Sequence, residues 1–241
     1  PPDGTVMTMS ALAGYSVNPH LYKNVGYETL RDLAPVASVA DLPLALVVNP
    51  ELPVHSVAEL VAYAKAHPGQ LSHCSSGNGT LSHLLMEDFK RRAQISIVHV
   101  PYAGSPRAMT DLVAGRVQVG LDTLTVTMPF VKAGKLRILA VGTAQRLASM
   151  PDVPTIAELG YPGFEAVAWI GLTAPAGTPL AWRERVNADV QAMLKAPDFQ
   201  QRLEKLGAYP RSGSVADFDA FLKSEQSRWA AIVKQSGVTV D

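Results

Sequence analysis

Short apolar runs alternate with amphipathic stretches through most of the chain. Residues 42–48 (LPLALVV) form a near-continuous apolar run that stops at Asn49-Pro50, the pattern of a buried strand rather than a half-exposed one. Residues 56–67 (SVAELVAYAKAH) start with Ser56 as N-cap and Glu59 three residues on. Val57, Leu60, Val61 and Ala64 then follow helical spacing until Pro68-Gly69 ends the helix. A strand over 71–75 leads to a helix over 80–92 with Leu81, Leu84, Leu85 and Phe89 on one face. Strands over 95–101, 117–121 and 136–141 are separated by helices over 105–114 and 126–133, each closed by a glycine, Gly115 or Gly134. Residues 154–159 read as one helical turn, and 9–18 (MSALAGYSVN) as a plain loop. Repeated strand–helix–strand order with short loops predicts βαβ units and an open α/β sheet.

After Trp169 the pattern changes. Residues 169–175 (WIGLTAP) are extended, and helices follow over 179–195, 198–206 and 215–236, the last with Ser214 and Asp217 in capping positions. A helical tail behind a finished sheet predicts packing on a different domain. The length of 241 residues suits one large domain or two modest ones. Charged residues make up 17% and apolar ones 47%, a foldable composition that excludes wholesale disorder. Lys+Arg and Asp+Glu are 21 each, and zero net charge argues against a dedicated nucleic-acid binder. The single cysteine, Cys74, excludes an internal disulfide and a multi-cysteine metal cluster. No apolar run is long enough to span a membrane.

The most informative stretch is 75–83 (SSGNGTLSH), a small-residue turn between a strand and a helix. Gly77 and Gly79 let a ligand approach the backbone. The first amides of the next helix are unpaired and partly positive, so such a turn holds phosphate or carboxylate without Lys or Arg. Ser75, Ser76, Asn78 and Thr80 add polar groups. The stretch lacks the third glycine of a dinucleotide fingerprint and the lysine of a P-loop, and the same residues also suit a simple turn with Thr80 as helix cap. Asp122 and Thr123 form a second candidate at a strand end, either as helix caps or as groups facing the same crevice. The six histidines carry no i, i+4 pair and no HExxH, so no metal or cofactor is expected. Cys74 reads as a buried thiol, Ser105 as a helix start, and Trp169, Trp182 and Trp229 as anchors of packing.

Several stretches together resemble one family: SGNGTLSHL; HVPYAGSPRAMTDLVAGRV (99–117); AGKLRILAVGTAQR (133–146); MPDVPTIAELGYPGFE (150–165); WIGLTAPAGTP (169–179); and EQSRWAAIVKQSGV (225–238). They are similar to the Bug/TctC-type solute-binding proteins, the extracytoplasmic receptors of tripartite tricarboxylate transporters. The resemblance implies a two-lobed periplasmic-binding fold of type II kind, with open, mostly parallel sheets flanked by helices and two crossing strands, 44–49 and 169–174. Lobe one would hold 1–46 and 171–241, and lobe two 47–170. It further implies an exported, periplasmic protein that binds rather than transforms a small carboxylate: a di- or tricarboxylate, an acidic amino acid or an aromatic acid. The ligand would be held by main-chain amides of one loop per lobe and passed to permease subunits or a sensor. Ser75, Ser76, Gly77, Asn78, Gly79, Thr80 and His83 would form the second-lobe loop, with Asp122 and Thr123 beside it and Ser10 and Tyr15 facing the cleft from the first lobe. Family members normally open with a strand reading like PIRLVVPFPPGG, then an Asp and a helix. This chain starts past that point, so a leading βαβ region is expected upstream. Two rivals stand beside this reading. One is an enzyme acting on a small carboxylate, with His83 beside Asp122; the other is the effector domain of a transcription regulator.

Overall fold

In a computed structural model of the chain, which describes residues 1–240, the residues divide into two compact units, Pro1–Leu42 with Ala168–Asp241, and Pro43–Val167. The chain passes from the first unit to the second within β2 (Leu33–Val48) and returns at the start of β7 (Val167–Pro175). These crossings fall at 42/43 and 167/168, a few residues before the expected 46/47 and 170/171.

In the second unit, β5 (Val119–Thr123) pairs parallel with β3 (Ser72–Ser75), and β3 pairs parallel with β4 (Val98–Pro101). β2 runs antiparallel both to β5, with Ala45 opposite Asp122, and to β6 (Arg137–Val141). Strands β3 to β6 therefore share one direction, because each is linked to the next through a helix, and β2 alone opposes them. The helices are α4 (Leu81–Ala93) between β3 and β4, α5 (Ser105–Val113) between β4 and β5, and α6 (Leu124–Lys132) between β5 and β6. Leu84, Leu85, Met86 and Phe89 of α4, and Ala108, Met109 and Leu112 of α5, are buried against the sheet. Ahead of β3, α3 (Val57–Ala66) opens with Ser56 Oγ accepting from Glu59 N at 3.1 Å. The reciprocal arm is displaced: the Glu59 carboxylate takes the amide of His55, not that of Ser56.

In the first unit, β1 (Thr8–Ala11) pairs antiparallel with β7, and β8 (Tyr209–Pro210) with β2. Among the described ladders only β3–β4 and β3–β5 are parallel, so the sheets are mixed rather than mostly parallel. The reason is topological: a parallel ladder needs a helical crossover, and β2 and β7 come from the passage between units instead. A π-helical turn (Ala13–Val17) and α1 (Asn18–Leu21) follow β1, where a plain loop was expected. After α2 (Thr29–Asp32) and β2, this unit resumes with α7 (Leu180–Lys195), α8 (Pro197–Lys205) and α9 (Val215–Ser236). α9 starts with a complete capping box, Ser214 and Asp217 each accepting the other's backbone amide.

Trp169 and Trp229 are fully buried in this unit, while Trp182 packs partly buried against Val36, Ala37 and Ala174. Residues 154–159 form turns instead of a helical turn. Ile156 N donates to Val141 O and Val141 N to Pro154 O, so the segment extends the sheet beside β6. Among the described residues no helix is long and apolar enough to cross a membrane.

Candidate functional site

The parallel arrangement of β3, β4 and β5 places three strand-to-helix turns on one edge of the second unit's sheet. α4, α5 and α6 all begin there, so the first amides of three helices, which lack intrahelical partners, gather on that edge. Hydrogen bonds lock the turns together: Gly104 N donates to Ser76 O at 3.1 Å, and Tyr102 N to Ser75 O at 3.1 Å. Ser105 Oγ donates to Asp122 Oδ2 at 2.6 Å, joining the β4 turn to the end of β5.

The 75–80 turn is held largely by its own groups. Ser76 N donates to Ser82 Oγ at 3.0 Å and Gly77 N to Ser75 Oγ at 3.2 Å. Gly79 N donates to His83 Nδ1 at 3.1 Å, and Thr80 N and Thr80 Oγ1 both donate to Gly77 O. The amides of Ser76, Gly77, Gly79 and Thr80, expected to meet a ligand, are thus spent inside the protein. Those left free by helix geometry are Leu81, Ser82 and His83, at the start of α4. Gly77 sits at φ +139° and Gly79 at +72°, backbone that L side chains rarely adopt. Asn78 is exposed at the tip of the turn.

Asp122 is buried and accepts from Ser105 Oγ and from Thr123 N, the latter at 2.7 Å. Burial pushes its pKa up, partly offset by those two bonds. It orients Ser105 and the Thr123 turn rather than pointing a charge outward. Thr123 Oγ1 is paired with Thr125 Oγ1 at 2.7 Å.

Beneath the turn lie three stacked imidazoles. His99 on β4 stacks on His83 of α4 (centroids 3.7 Å apart) and on His73 of β3 (4.9 Å). Glu87 Oε1 lies 3.3 Å from His73 Nε2, 3.9 Å from His83 Nε2 and 2.6 Å from Lys90 Nζ. His99 Nε2 lies 2.6 Å from Ser75 Oγ. Burial, then the neighbouring imidazoles, brings the His99 pKa down to about 4. His83 is lowered too, again by burial first. Face-to-face rings aim their lone pairs sideways rather than at one point. Among the described residues no group of His, Cys, Asp and Glu is set to hold a metal ion. The Cys74 thiol is buried, and burial pushes its pKa up to about 12, so it is inert.

Two further candidates, Tyr15 and Ser10, belong to the first unit. Tyr15 was expected to face a ligand, but its ring is buried and stacked on Trp169 at 5.4 Å. Its hydroxyl lies 3.1 Å from both Gly171 O and Thr173 Oγ1, so both ends of the side chain are already committed to the core. Ser10 is half-buried on β1 with its hydroxyl 3.5 Å from Ala11 O. The pairing proposed for an enzyme does not form: Asp122 bonds Ser105 and Thr123, whereas His83 bonds Gly79 and stacks on His99. Ser105, Ser82 and His99 were not expected to matter. Their roles depend on strand register, which brings His73 level with His99, and no local pattern announces that.

A mixed sheet flanked by helices, with ligand-accessible turns at the carboxyl edge of parallel strands, is the architecture of periplasmic binding proteins. A structure of R. palustris Rpa4515 with adipate is 36% identical and superposes with a TM-score of 0.89, covering 99% of this chain and 80% of that one. MatC from Rhodopseudomonas palustris with bound malate is 29% identical with a TM-score of 0.82, over 97% of this chain and 80% of that one. In sequence, a UPF0065 protein from the tcbD-tcbE intergenic region of Pseudomonas sp. (strain P51) is 38% identical over 97% of this chain and 69% of its own length. Protein BugT of Bordetella pertussis is 34% identical over 97% and 72%. Residues 1–238 match the tripartite tricarboxylate transporter family receptor, TctC, and the chain belongs to that family. The family and its structural neighbours are solute-binding receptors, not enzymes.

Proposed function

We propose that this chain is an exported, periplasmic receptor that captures a small carboxylate and delivers it to the permease subunits of a tripartite tricarboxylate-type transporter. The observation that carries this reading is the gathering of three helix starts on one sheet edge, with the amides of Leu81, Ser82 and His83 unspent. The turns at 75–83 and 121–125 hold no Lys or Arg, and the start of α5 carries one cation, the exposed Arg107, so recognition of an anion at the first two turns falls to amides and hydroxyls. The adipate and malate bound by the two structural neighbours support a C4–C6 diacid as the ligand class. Asn78, Thr80 and Thr123 are the polar side chains placed to select within that class.

A thermal-shift panel of C4–C6 di- and tricarboxylates, acidic amino acids and aromatic acids tests this directly. Stabilisation by at least one member is expected, and a flat panel rejects the carboxylate reading. In the same assay Gly77→Val is expected to weaken the best ligand about tenfold or more, since a side chain at φ +139° distorts the turn. Unchanged affinity would move the site elsewhere. Ser105→Ala removes a donor to the buried Asp122 carboxylate, and titration calorimetry is expected to show about three- to tenfold weaker binding.

A further inference from the structure

His83 sits at the junction between the binding turn and the histidine stack. Its Nδ1 accepts the Gly79 N–H at 3.1 Å, and only an imidazole without a proton on Nδ1 can accept. The bond therefore fixes His83 as the neutral tautomer, with its proton on Nε2 toward Glu87. A proton on Nδ1 would set two donors face to face and release Gly79, the residue that leads through Thr80 into the free amides of α4.

We propose that His83 is a positioning residue that holds the carboxylate turn in its binding shape only while neutral, so that acid loosens the turn and releases the ligand. The ionisable groups around the ring come from its own helix and two strands: Glu87 and Lys90 on α4, His73 on β3 and His99 on β4, while Asp122 on β5 is engaged by Ser105 and Thr123 instead. Among the described residues Glu87 is the carboxylate that contacts the stack, and it is shared among two imidazoles and Lys90. It therefore cannot neutralise several protonated rings, and charging one ring opposes charging the next. Burial favours the neutral ring as well. His99 reaches the same turn through Ser75 Oγ, a contact its Nε2 can make as donor in either charge state.

This inference rests on the carboxylate reading for its effect on binding, but not for its effect on the turn. The test has two arms. In the ligand-free full chain labelled with nitrogen-15, the Gly79 amide and His83 Nδ1 resonances are followed from pH 8 to pH 5. Both are expected to shift together as His83 takes its proton; a Gly79 amide indifferent to that step overturns the proposal. In the second arm, adipate affinity is measured by calorimetry at pH 7.5 and pH 5 for the native chain and for His83→Asn, whose Oδ1 can accept the Gly79 amide without titrating. The native chain is expected to lose about fivefold more affinity than the variant, one hydrogen bond's worth. Parallel losses, which adipate's own protonation would produce in both proteins, overturn it. If neither adipate nor any acid of the panel binds while Gly79 still follows His83, the positioning role stands and the carboxylate reading falls. Should His83→Asn fail to fold, the first arm decides alone.

Discussion

Glu225→Leu is expected to lower the unfolding free energy by about 3 kcal/mol, read as a shift of the urea midpoint at constant slope. Glu225 is buried on α9, and its Oε2 accepts two indole donors, Trp169 Nε1 at 2.9 Å and Trp229 Nε1 at 3.1 Å. Its Oε1 takes Arg228 Nη1 at 3.0 Å. A leucine of similar volume fills the space but leaves two fully buried N–H groups without an acceptor, each costing about 1–3 kcal/mol. Arg228 is partly exposed and adds less, because water replaces its partner. Glu225→Gln keeps one carbonyl oxygen and is expected to recover about half of the loss. A Leu variant within about 0.5 kcal/mol of the native chain would show that the clamp contributes little. The expected loss is confined to the first unit, where Trp169 also supports Tyr15, Phe218 and Phe221.

The second large effect is acid lability. Between pH 7.5 and pH 5 the chain is expected to lose about 2 kcal/mol of stability, after allowing for solvent screening of the half-buried His99. Burial lowers His83 and His99 from the ordinary 6.5, His99 to about 4. A base depressed in the folded state is protonated first in the unfolded chain. Its contribution is therefore whole above about pH 6.5 and drains away as pH falls toward the folded value. Glu87 acts lower down. Burial pushes it up, but bonds from His73 and Lys90 outweigh that and hold it at about 2, so its contribution is lost only below its ordinary 4.5. Asp122, raised by burial, works in the opposite sense and gains as pH falls. The window from 6.5 to 5 is thus clear of Glu87, and any gain from Asp122 within it is common to the native chain and to a histidine variant. Urea titrations at pH 7.5, 6 and 5 measure it, with the double variant His83→Asn, His99→Gln expected to be nearly flat. A native chain equally stable at all three pH values would contradict the account of the stack.

Much of this was legible along the chain. The apolar run at 42–48 is a buried strand because neither face meets water, and it was recognisable from that run alone. Ser56 and Ser214 announced their helices by capping chemistry that acts within three residues. The small residues at 75–83 announced a turn able to approach a ligand, since positive φ at Gly77 and Gly79 is a local demand. The collinear motifs alone are enough to identify the family.

What the chain did not disclose depends on contacts between distant segments. β1 is short and its four residues are at best half-buried, so nothing in its own pattern makes it a strand; β7 does, by pairing with it. The direction of β2 in the second unit follows from where the chain enters that unit, and this makes sheets expected to be mostly parallel mixed. Tyr15 looked free for a ligand until Trp169, more than a hundred residues on, supplied the face it stacks against. The turn's own side chains consume most of the amides its glycines seemed to offer, and His83 consumes another. The sequence by itself thus determined the elements, the family and the neighbourhood of the site, because capping, turn chemistry and periodicity act over a few residues. The tertiary structure decided which donors stay free and which imidazoles stack, because pairing and burial are set by register between segments far apart in the chain.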